Sequence, residues 1–428
     1  MVTYKIKNIT QNQLDKIIGQ NDYKVFAGPD WPSYQQLIDG ELGSHDTIKT
    51  EVKDFIRMME ETYYAQTMHG DVLAQSNQQR QQQKFFDKKY HGPACRVPWE
   101  TMGINANGDV FICSSPSWIP KFVGNILECT DIYQILNSDI ALSIRNEISN
   151  GRYTYCNNRL CGFFGNISPT RYETDGPEQV PDTVVHSDNL YVTEIPKNII
   201  LDFDYTCNFA CPSCRVELIN NNTHHVMAPI NDKISEKIKQ LVIDQIKNQP
   251  VTVRWCGGEP FISRVYLDLL EYIAARKKDN IKHIIQTNGS YLQKKSDLVT
   301  KLLPTTQEMR VSFDAACDET YQKIRVNGQW DQLLSNVRWL RQCVDELAVD
   351  CVLSADFVVQ LTNYKEIPAF VKLCRELGIK KINWQKMWNW GTWSQEEFLQ
   401  HNIYRPEHPL YSELVEIFKK AGQPISLI

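Results

Sequence analysis

The chain lacks any apolar run approaching about 18 residues, and its opening, MVTYKIKNIT, has neither an apolar core nor a small-residue cleavage site. These absences argue against a membrane-spanning helix and a secretory signal. The chain also lacks a large excess of one charge, because 46 Lys and Arg stand against 51 Asp and Glu, a net charge of −5. Nothing in this balance favours binding to phosphate-rich surfaces. We therefore predict a soluble cytoplasmic protein that binds neither nucleic acid nor membranes.

The rest of the composition is that of a globular chain rich in cysteine. Its 428 residues are 42% hydrophobic, which is enough for a sizeable core. There are 13 cysteines, an odd number. Because a reducing compartment disfavours disulfides, we expect these cysteines to bind metals or clusters, to act as catalytic thiols, or to fill the core.

Three cysteines are closely spaced, and a second group lies on their N-terminal side. Cys207, Cys211 and Cys214 form a C-x3-C-x2-C pattern directly after the apolar stretch Ile199–Phe203, so a strand is expected to deliver them to a loop. The second group comprises Cys95, Cys113, Cys129, Cys156 and Cys161. The remaining five are isolated in periodic segments and are expected to be buried core residues: Cys256, Cys317, Cys343, Cys351 and Cys374.

Five segments can be distinguished along the chain. Residues 1–90 form a helical or linker region, 91–165 a cysteine-bearing α+β domain with an Asn-Gly turn at Asn107 and Gly108, and 166–196 a polar connector with several prolines. Residues 197–390 alternate strand, loop and helix, and 391–428 form a helical extension. The predicted strands of the fourth segment are Ile199–Phe203, Val251–Trp255, His283–Gln286, Arg310–Phe313, Ser354–Val359 and Lys381–Trp384.

This alternation predicts an α/β fold, a parallel sheet or barrel with its chemistry on loops at the carboxyl ends of the strands. The C-x3-C-x2-C pattern lies on the first of these loops. Three thiolates there would bind three corners of a four-iron, four-sulfur cluster and leave one iron open to a further ligand. A zinc site completed by a distant Cys or His is the alternative.

Motifs on the following loops resemble those of the radical S-adenosylmethionine (SAM) enzymes over about residues 195–390, and the resemblance implies a partial (β/α)6 barrel of the TIM type. The resemblance implies that Cys207, Cys211 and Cys214 are catalytic cluster ligands and that the following residues bind SAM: Gly257, Gly258 and Glu259 of the GGEP motif, Asn288 of the TNG turn, Ser312 and Asp314 after the fourth strand, and Arg325. It further implies that an electron from the [4Fe-4S] cluster cleaves SAM and that a 5′-deoxyadenosyl radical then abstracts a hydrogen atom.

One position departs from this family pattern. Many members have an aromatic residue just before the third cysteine, near the adenine, whereas this chain has Ser213. We expect the adenine to rely on other contacts, such as Phe209 or the backbone near Val359 and Asn383.

The N-terminal cysteine group resembles the SPASM or twitch module, which binds auxiliary iron–sulfur clusters. The resemblance lies in the C-x12-G-x4-C spacing from Cys95 to Cys113 and in the segment that ends with Cys156 and Cys161. These four cysteines would hold one auxiliary [4Fe-4S] cluster, and Cys129 could replace one of them. A zinc-stabilised hairpin and a metal-free module are the alternatives. In the family the module follows the barrel, whereas here it precedes it.

The resemblance leaves the substrate open between two classes. Because SPASM-like modules occur most often in enzymes that modify peptides, a peptide or protein substrate is the first hypothesis. Dehydrogenation or rearrangement of a small molecule of the sugar or aminocyclitol type is the second. A non-catalytic iron–sulfur protein is a third possibility, but a scaffold would not need the GGEP and TNG motifs. A flavodoxin- or ferredoxin-type reductant is the expected electron donor.

Overall fold

The computed structural model describes residues 95–156, 161, 190–215, 217–222, 225, 227–390 and 392–423. The predicted region 1–90 and residues 166–189 of the predicted connector lie outside these ranges. The chain divides into two compact units. The larger comprises Cys95–Ser114, Val123–Arg145 and the described residues from 190 onward. The smaller contains Ser115–Phe122 and, among the described residues, 146–156 and 161.

Six parallel strands form the centre of the larger unit, in the order of the sequence. Each lies at or within two residues of the place predicted for it, except that the fourth begins four residues earlier. They are β4 (Asn198–Asp202), β5 (Val251–Trp255), β6 (Ile281–Thr287), β7 (Thr306–Ser312), β8 (Val352–Val359) and β9 (Lys381–Lys386). This arrangement agrees with the predicted partial barrel.

Helices follow the strands and complete the α/β alternation. After β4 come α4 (Ala228–Ile238) and a π-helical extension (Lys239–Ile243); then α5 (Arg264–Ala275) follows β5, α6 (Ser296–Leu302) follows β6, α7 (Asp318–Ile324) and α8 (Trp330–Glu346) follow β7, and α9 (Ile367–Glu376) follows β8. Beyond β9 lie α10 (Gln395–His401) and α11 (Tyr411–Lys420). In the part of the chain that the structure describes, no helix is both long and apolar enough to cross a membrane.

One face of the six-strand sheet is apolar and is covered by these helices. Trp255 of β5 packs edge-on against Tyr266 of α5, with 5.6 Å between ring centroids. Trp384 of β9 packs in the same way against Phe418 of α11 at 5.1 Å. Because side chains alternate between the two faces of a strand, the residues between these aromatic positions point to the opposite face. The two faces therefore differ in role, and the helices bury only one of them.

The sheet continues beyond β4 into the N-terminal cysteine segment, a pairing that the sequence did not predict. Strand β1 (Thr101–Asn105) pairs in parallel with β4, with Met102 opposite Ile199. Strands β2 (Asp109–Phe111) and β3 (Gly124–Asn125) follow antiparallel, so the described sheet has nine strands. Short helices α1 (Val97–Glu100), α2 (Ile132–Leu136) and α3 (Asp139–Ser149) flank these strands in sequence. The hairpin is thus joined to the first barrel strand by backbone hydrogen bonds.

The sequence predicts two capped helix starts, one at Asn231 or Asp232 and one at Ser263. Ser263 caps α5 as expected, because its hydroxyl accepts a hydrogen bond from the N–H of Tyr266. The prediction of a cap at Asn231 or Asp232 is wrong, because α4 already begins at Ala228 with a proline in its first turn. Asn231 instead lies inside the helix with its side chain buried.

The contact between Gly103 and Phe111 provides a test of the hairpin. A Cβ at Gly103 would lie 2.0 Å from the Phe111 ring, which is 1% exposed and has little room to move. We expect Gly103→Ala to lower the free energy of unfolding by about 1–3 kcal/mol. Urea unfolding followed by circular dichroism measures this loss. Adding Phe111→Leu should restore part of it, and Lys301→Ala on an exposed part of α6 is the matched control; equal midpoints for Gly103→Ala and wild type would contradict the packing.

Candidate active site

The cluster loop, defined as residues 203–215, begins where β4 ends. The N–H of Cys207 donates to the carbonyl of Ile219 at 2.8 Å, which holds the first cysteine against the returning chain. The N–H groups of Cys214 and Arg215 both donate to the carbonyl of Cys211, at 2.8 and 2.9 Å. This turn holds Cys211 and Cys214 close together in the loop. Phe209, suggested as an adenine contact, is 2% exposed and packs inside the protein.

A buried carboxylate, Asp204, anchors the cluster loop. Its Oδ1 accepts hydrogen bonds from the Thr206 N–H and hydroxyl and from the side-chain amides of Asn221 and Asn231, at 2.9 to 3.1 Å. Its Oδ2 accepts from the Ser263 hydroxyl at the start of α5. Sequence reasoning missed this residue. The available signal was an acidic residue just after the mainly apolar stretch Ile199–Phe203, where burial demands several hydrogen-bond donors.

Two arginines lie beside the thiols of the cluster loop. Arg215 donates to the carbonyls of Tyr205 at 2.8 Å and Gly257 at 3.2 Å, and its Nη2 lies 3.5 Å from Sγ of Cys214. Arg325 Nη1 lies 3.8 Å from Sγ of Cys211. Sequence reasoning did not identify Arg215, although its position directly after the third cysteine was visible.

Burial and these arginines have opposite effects on the thiols. Burial raises the pKa of Cys207 to about 11, and the charge of Arg215 opposes the rise. Burial also raises the pKa of Cys211, against the charge of Arg325. Thiols in such a site stay protonated unless a positively charged metal centre takes the proton's place. The arginines then balance the negative charge of the bound thiolates.

The GGEP loop packs directly on the cluster loop. Gly257 has a φ of 98°, which favours glycine. A Cβ at Gly258 would lie 2.2 Å from the carbonyl oxygen of Thr206. The glycines had been expected to admit the cofactor, but in this structure the close neighbour of Gly258 is the backbone of the cluster loop. The N–H of Glu259 donates to the same Thr206 carbonyl at 2.7 Å.

Glu259 connects the GGEP loop to the TNG turn. Its buried carboxylate accepts from the N–H of Phe261 at 3.1 Å, the hydroxyl of Thr287 at 2.8 Å and the N–H of Asn288 at 2.6 Å. Burial raises its pKa to about 7, against these hydrogen bonds. The Asn288 side chain in turn donates to Oδ1 of Asn208 at 2.9 Å. The first three loops therefore form one continuous hydrogen-bonded assembly.

The fourth loop joins this assembly through an ion pair. Arg325 Nη2 lies 2.7 Å from Oδ2 of Asp314, and Oδ1 of Asp314 accepts from the N–H of Val358 at 2.7 Å. Asp314 has a φ of 59°, an uncommon value for a residue other than glycine. Ser312 is buried at the end of β7, in register with Asp356 of β8. The structure thus brings Asp314 and Arg325 together with Cys211, as the site prediction requires, but it pairs the two charges with each other.

The donor set fits an iron–sulfur cluster and an anionic ligand beside it. Three thiols lie in an arginine-lined loop, and Nε of Arg325 is buried with no hydrogen-bond partner among the described residues. In the described ranges, no three His, Cys, Asp or Glu side chains converge on the position of a single ion. A cubane needs no such convergence, because it places each of its cysteines on a different iron. Cys207, Cys211 and Cys214 are therefore the residues that would hold it.

The four cysteines predicted for the auxiliary cluster are divided between the two units. Cys95 precedes α1 and Cys113 follows β2, so both lie toward the open end of the hairpin in the larger unit. Cys156 and Cys161 belong to the smaller unit. Their joint role in one cluster stays a prediction. Burial raises the pKa of Cys129, whose thiol donates to the carbonyl of Ile126 at 3.6 Å.

Three of the five isolated cysteines are buried, as expected, and two are not. Cys343, Cys351 and Cys374 are buried in the larger unit. Cys256 is partly exposed and donates to the carbonyl of Leu201 at 3.4 Å. Cys317 is exposed, with Sγ 3.4 Å from Oε1 of Glu366.

Comparison with protein families gives two matches. The model described as the radical SAM superfamily matches residues 203–374, and the SPASM model, described as an iron–sulfur cluster-binding domain, matches residues 95–162. The SPASM match lies on the N-terminal side, as predicted. Among similar proteins are the probable GTP 3′,8-cyclases of Saccharolobus islandicus strains L.S.2.15 and M.14.25, each 26% identical over 226 residues, or 52% of this chain and 67% of theirs.

Solved structures with some likeness include TYW1 with a lysine–pyruvate adduct bound and native anSMEcpe with bound AdoMet. The first is 15% identical, with a TM-score of 0.32 over 53% of this chain and 72% of its own. The second is 14% identical, with a TM-score of 0.31 over 44% of this chain and 52% of its own.

Replacing the three loop cysteines tests the assignment of the cluster. The triple variant Cys207→Ala, Cys211→Ala and Cys214→Ala should lose one cluster's worth of iron and sulfide after anaerobic reconstitution, because three of its ligands are removed. Iron and sulfide analysis with electron paramagnetic resonance measures the loss. Cys343→Ala on α8 is the matched control and should keep wild-type iron. Unchanged iron in the triple variant would rule out these ligands.

Replacing Arg215 tests whether its charge acts on the cluster. Arg215→Gln should make the cluster's midpoint potential more negative, because a buried positive charge beside a ligand is lost. A tenfold shift in the ratio of oxidised to reduced cluster corresponds to about 59 mV. Arg215→Lys keeps the charge and should stay closer to wild type in potential. Arg264→Gln at the surface is the control, and a potential unchanged in Arg215→Gln would contradict the electrostatic role.

Proposed function

We propose that this chain, which carries a radical SAM domain and a SPASM domain, is a radical SAM enzyme that reductively cleaves SAM and uses the resulting 5′-deoxyadenosyl radical to abstract a hydrogen atom from its substrate. The radical SAM domain implies a [4Fe-4S] cluster and SAM, and the SPASM domain implies auxiliary iron–sulfur clusters. The observation that carries the proposal is the connected set of four loops at the carboxyl ends of β4 to β7. These loops hold all the cysteines and polar motifs that the radical SAM resemblance requires.

The residues of the four loops have distinct parts in this proposal. The three cysteines would hold the cluster and leave one of its irons without a protein ligand. Glu259 would accept a hydrogen bond from the cofactor's ammonium group, and Arg325 would exchange part of its bond to Asp314 for the cofactor carboxylate. When bound, the cluster and SAM supply a low-potential electron and a carbon-centred radical. The protein's own task is to position a C–H bond and to exclude other hydrogen donors.

A second proposal concerns the substrate and the electron donor. A peptide or protein substrate is supported by the SPASM domain, because such modules occur most often in peptide-modifying enzymes. A small molecule is supported by the relatives named as probable GTP 3′,8-cyclases, which match half of this chain.

A flavodoxin- or ferredoxin-type protein would supply electrons. The auxiliary cluster, with Cys95, Cys113, Cys156 and Cys161 as proposed ligands, would conduct electrons or shape the substrate site.

Anaerobic turnover with dithionite and SAM tests the proposed reaction. The reconstituted protein should release 5′-deoxyadenosine and methionine in equal amounts, measured by liquid chromatography and mass spectrometry. The triple cysteine variant should release neither. An iron-loaded wild-type protein that leaves SAM intact under these conditions would contradict the proposal.

Glu259→Gln refines the test at the level of one side chain. Glutamine has one acceptor oxygen where Glu259 uses two, so its amide would face the N–H of Asn288 without an acceptor. Release of 5′-deoxyadenosine should fall by roughly tenfold or more. Glu271→Gln at the surface of α5 is the matched control and should behave as wild type.

A further inference from the structure

The face of the barrel sheet that the helices do not cover carries many polar side chains, together with Ile200 and Ile284 on either side of Arg254. Its side chains are in register across neighbouring strands: Gln286 lies beside Arg310, Arg310 beside Ser354, and Ser312 beside Asp356. The interior of a β/α barrel is ordinarily filled by layers of branched apolar residues. A polar and charged interior packs the fold poorly, which is a reason to look for a ligand there.

Asp356 on β8 has an unused acceptor. It is 1% exposed, and its Oδ1 accepts from the side-chain amide of Asn383 on β9 at 2.8 Å. Its Oδ2 is buried with no hydrogen-bond partner in the described part of the chain. Leaving a buried acceptor unpaired costs free energy, so such an atom calls for an explanation. A donor supplied by a bound molecule would satisfy it.

Arg254 on β5 has an unused set of donors. Within the described ranges it forms no hydrogen bond and no ion pair, and it is partly buried. Burial and the nearby charge of Arg310 lower the pKa of Arg254. Arg310 itself is held by Glu308, with Nη2 3.0 Å from Oε2. The carboxylates of Glu308 and Asp356 also act on Arg254 but form no ion pair with it, so its guanidinium group can bind an anion that a ligand supplies.

These charges lie directly below the proposed cofactor loops. Arg254 is three residues before Gly257, Arg310 is two before Ser312, and Asp356 is two before Val358, whose N–H binds Asp314. Two residues of a strand span about 7 Å. A molecule bound by these three side chains would therefore lie within reach of chemistry at the loops above them.

We propose that the polar face of the barrel binds the substrate through a group in which an anion and an N–H or O–H donor lie side by side. Arg254 and Arg310 hold the anion, a carboxylate or a phosphate, and Oδ2 of Asp356 accepts from the donor. The inference rests on the proposed function and names the substrate class of that site. A substrate group with both functions leaves the charges of the face balanced, whereas an apolar or purely cationic group would leave Arg254 without an anionic partner.

Binding of small probes to the reconstituted, SAM-saturated protein tests this inference. Saturating SAM prevents a probe from occupying the position of the cofactor's own amino-acid group. L-serine carries a carboxylate and O-phosphoethanolamine a phosphate, each with an ammonium group, while acetate and ethanolamine lack the donor or the anion. Dissociation constants are measured by calorimetry and checked by the rise in the thermal unfolding midpoint.

We expect one of the two zwitterionic probes to bind at least tenfold more tightly than acetate and ethanolamine, and its identity distinguishes carboxylate from phosphate. Arg254→Gln, Arg310→Gln and Asp356→Asn should each weaken that probe by roughly tenfold or more. Asp356→Asn keeps the shape and the acceptor for Asn383, so it removes the unused acceptor with little change in packing. Arg276→Gln, directly after α5, is the control and should bind as wild type.

Two results would overturn the inference without touching the proposed function. One is a protein that cleaves SAM but binds none of the probes, or binds them equally well in the three variants. The other is a loss of affinity for SAM itself in the three variants, which would show that Arg254, Arg310 and Asp356 bind the cofactor. A protein that binds no SAM and releases no 5′-deoxyadenosine would instead contradict the proposed function.

Discussion

Buried carboxylates hold the candidate active site together. Asp204 fixes the cluster loop to α4 and α5, Glu259 ties the GGEP loop to the TNG turn, and Asp314 joins Arg325 to β8. Each carboxylate is almost fully buried and receives two or more hydrogen bonds, and removal of one partner would leave a charge or donor unpaired. Under the proposed function, loops held in this way would need little further ordering when the cofactor binds, which would reduce the ordering cost of binding.

Charge balance around the thiols adds a second constraint to the same loops. Arg215 lies beside Cys214 and also donates to the backbone carbonyl of Tyr205. Arg325 lies beside Cys211 and also pairs with the carboxylate of Asp314. A cluster with three thiolates carries negative charge into a region of low dielectric, where unpaired charge is costly. Arg215 and Arg325 thus hold the loops in place and would offset the negative charge of the bound cluster.

The parts of this molecule that sequence reasoning found are those with local signals. Periodic apolar segments identified all six barrel strands, and C-x3-C-x2-C, GGEP and TNG identified the loops. The pairing of β1 with β4 had no local signal, because residues almost one hundred apart meet only through the fold. Asp204 and Arg215 were missed for a similar reason: their partners come from several distant segments, and neither spacing nor composition shows that they converge.

The polar barrel face follows from the same separation of roles between the two sides of the sheet. The helix-covered side, with Trp255, Phe357 and Trp384, supplies the apolar burial that the fold needs. Residues on the other side are not needed for the apolar core. Arg254, Arg310 and Asp356 can therefore lie there, at a cost in stability only. Enzymes accept such costs where ligand binding recovers them. Arg254, Arg310 and Asp356 lie beneath the cofactor loops. The barrel therefore gives up stability at the place where the proposed substrate binds.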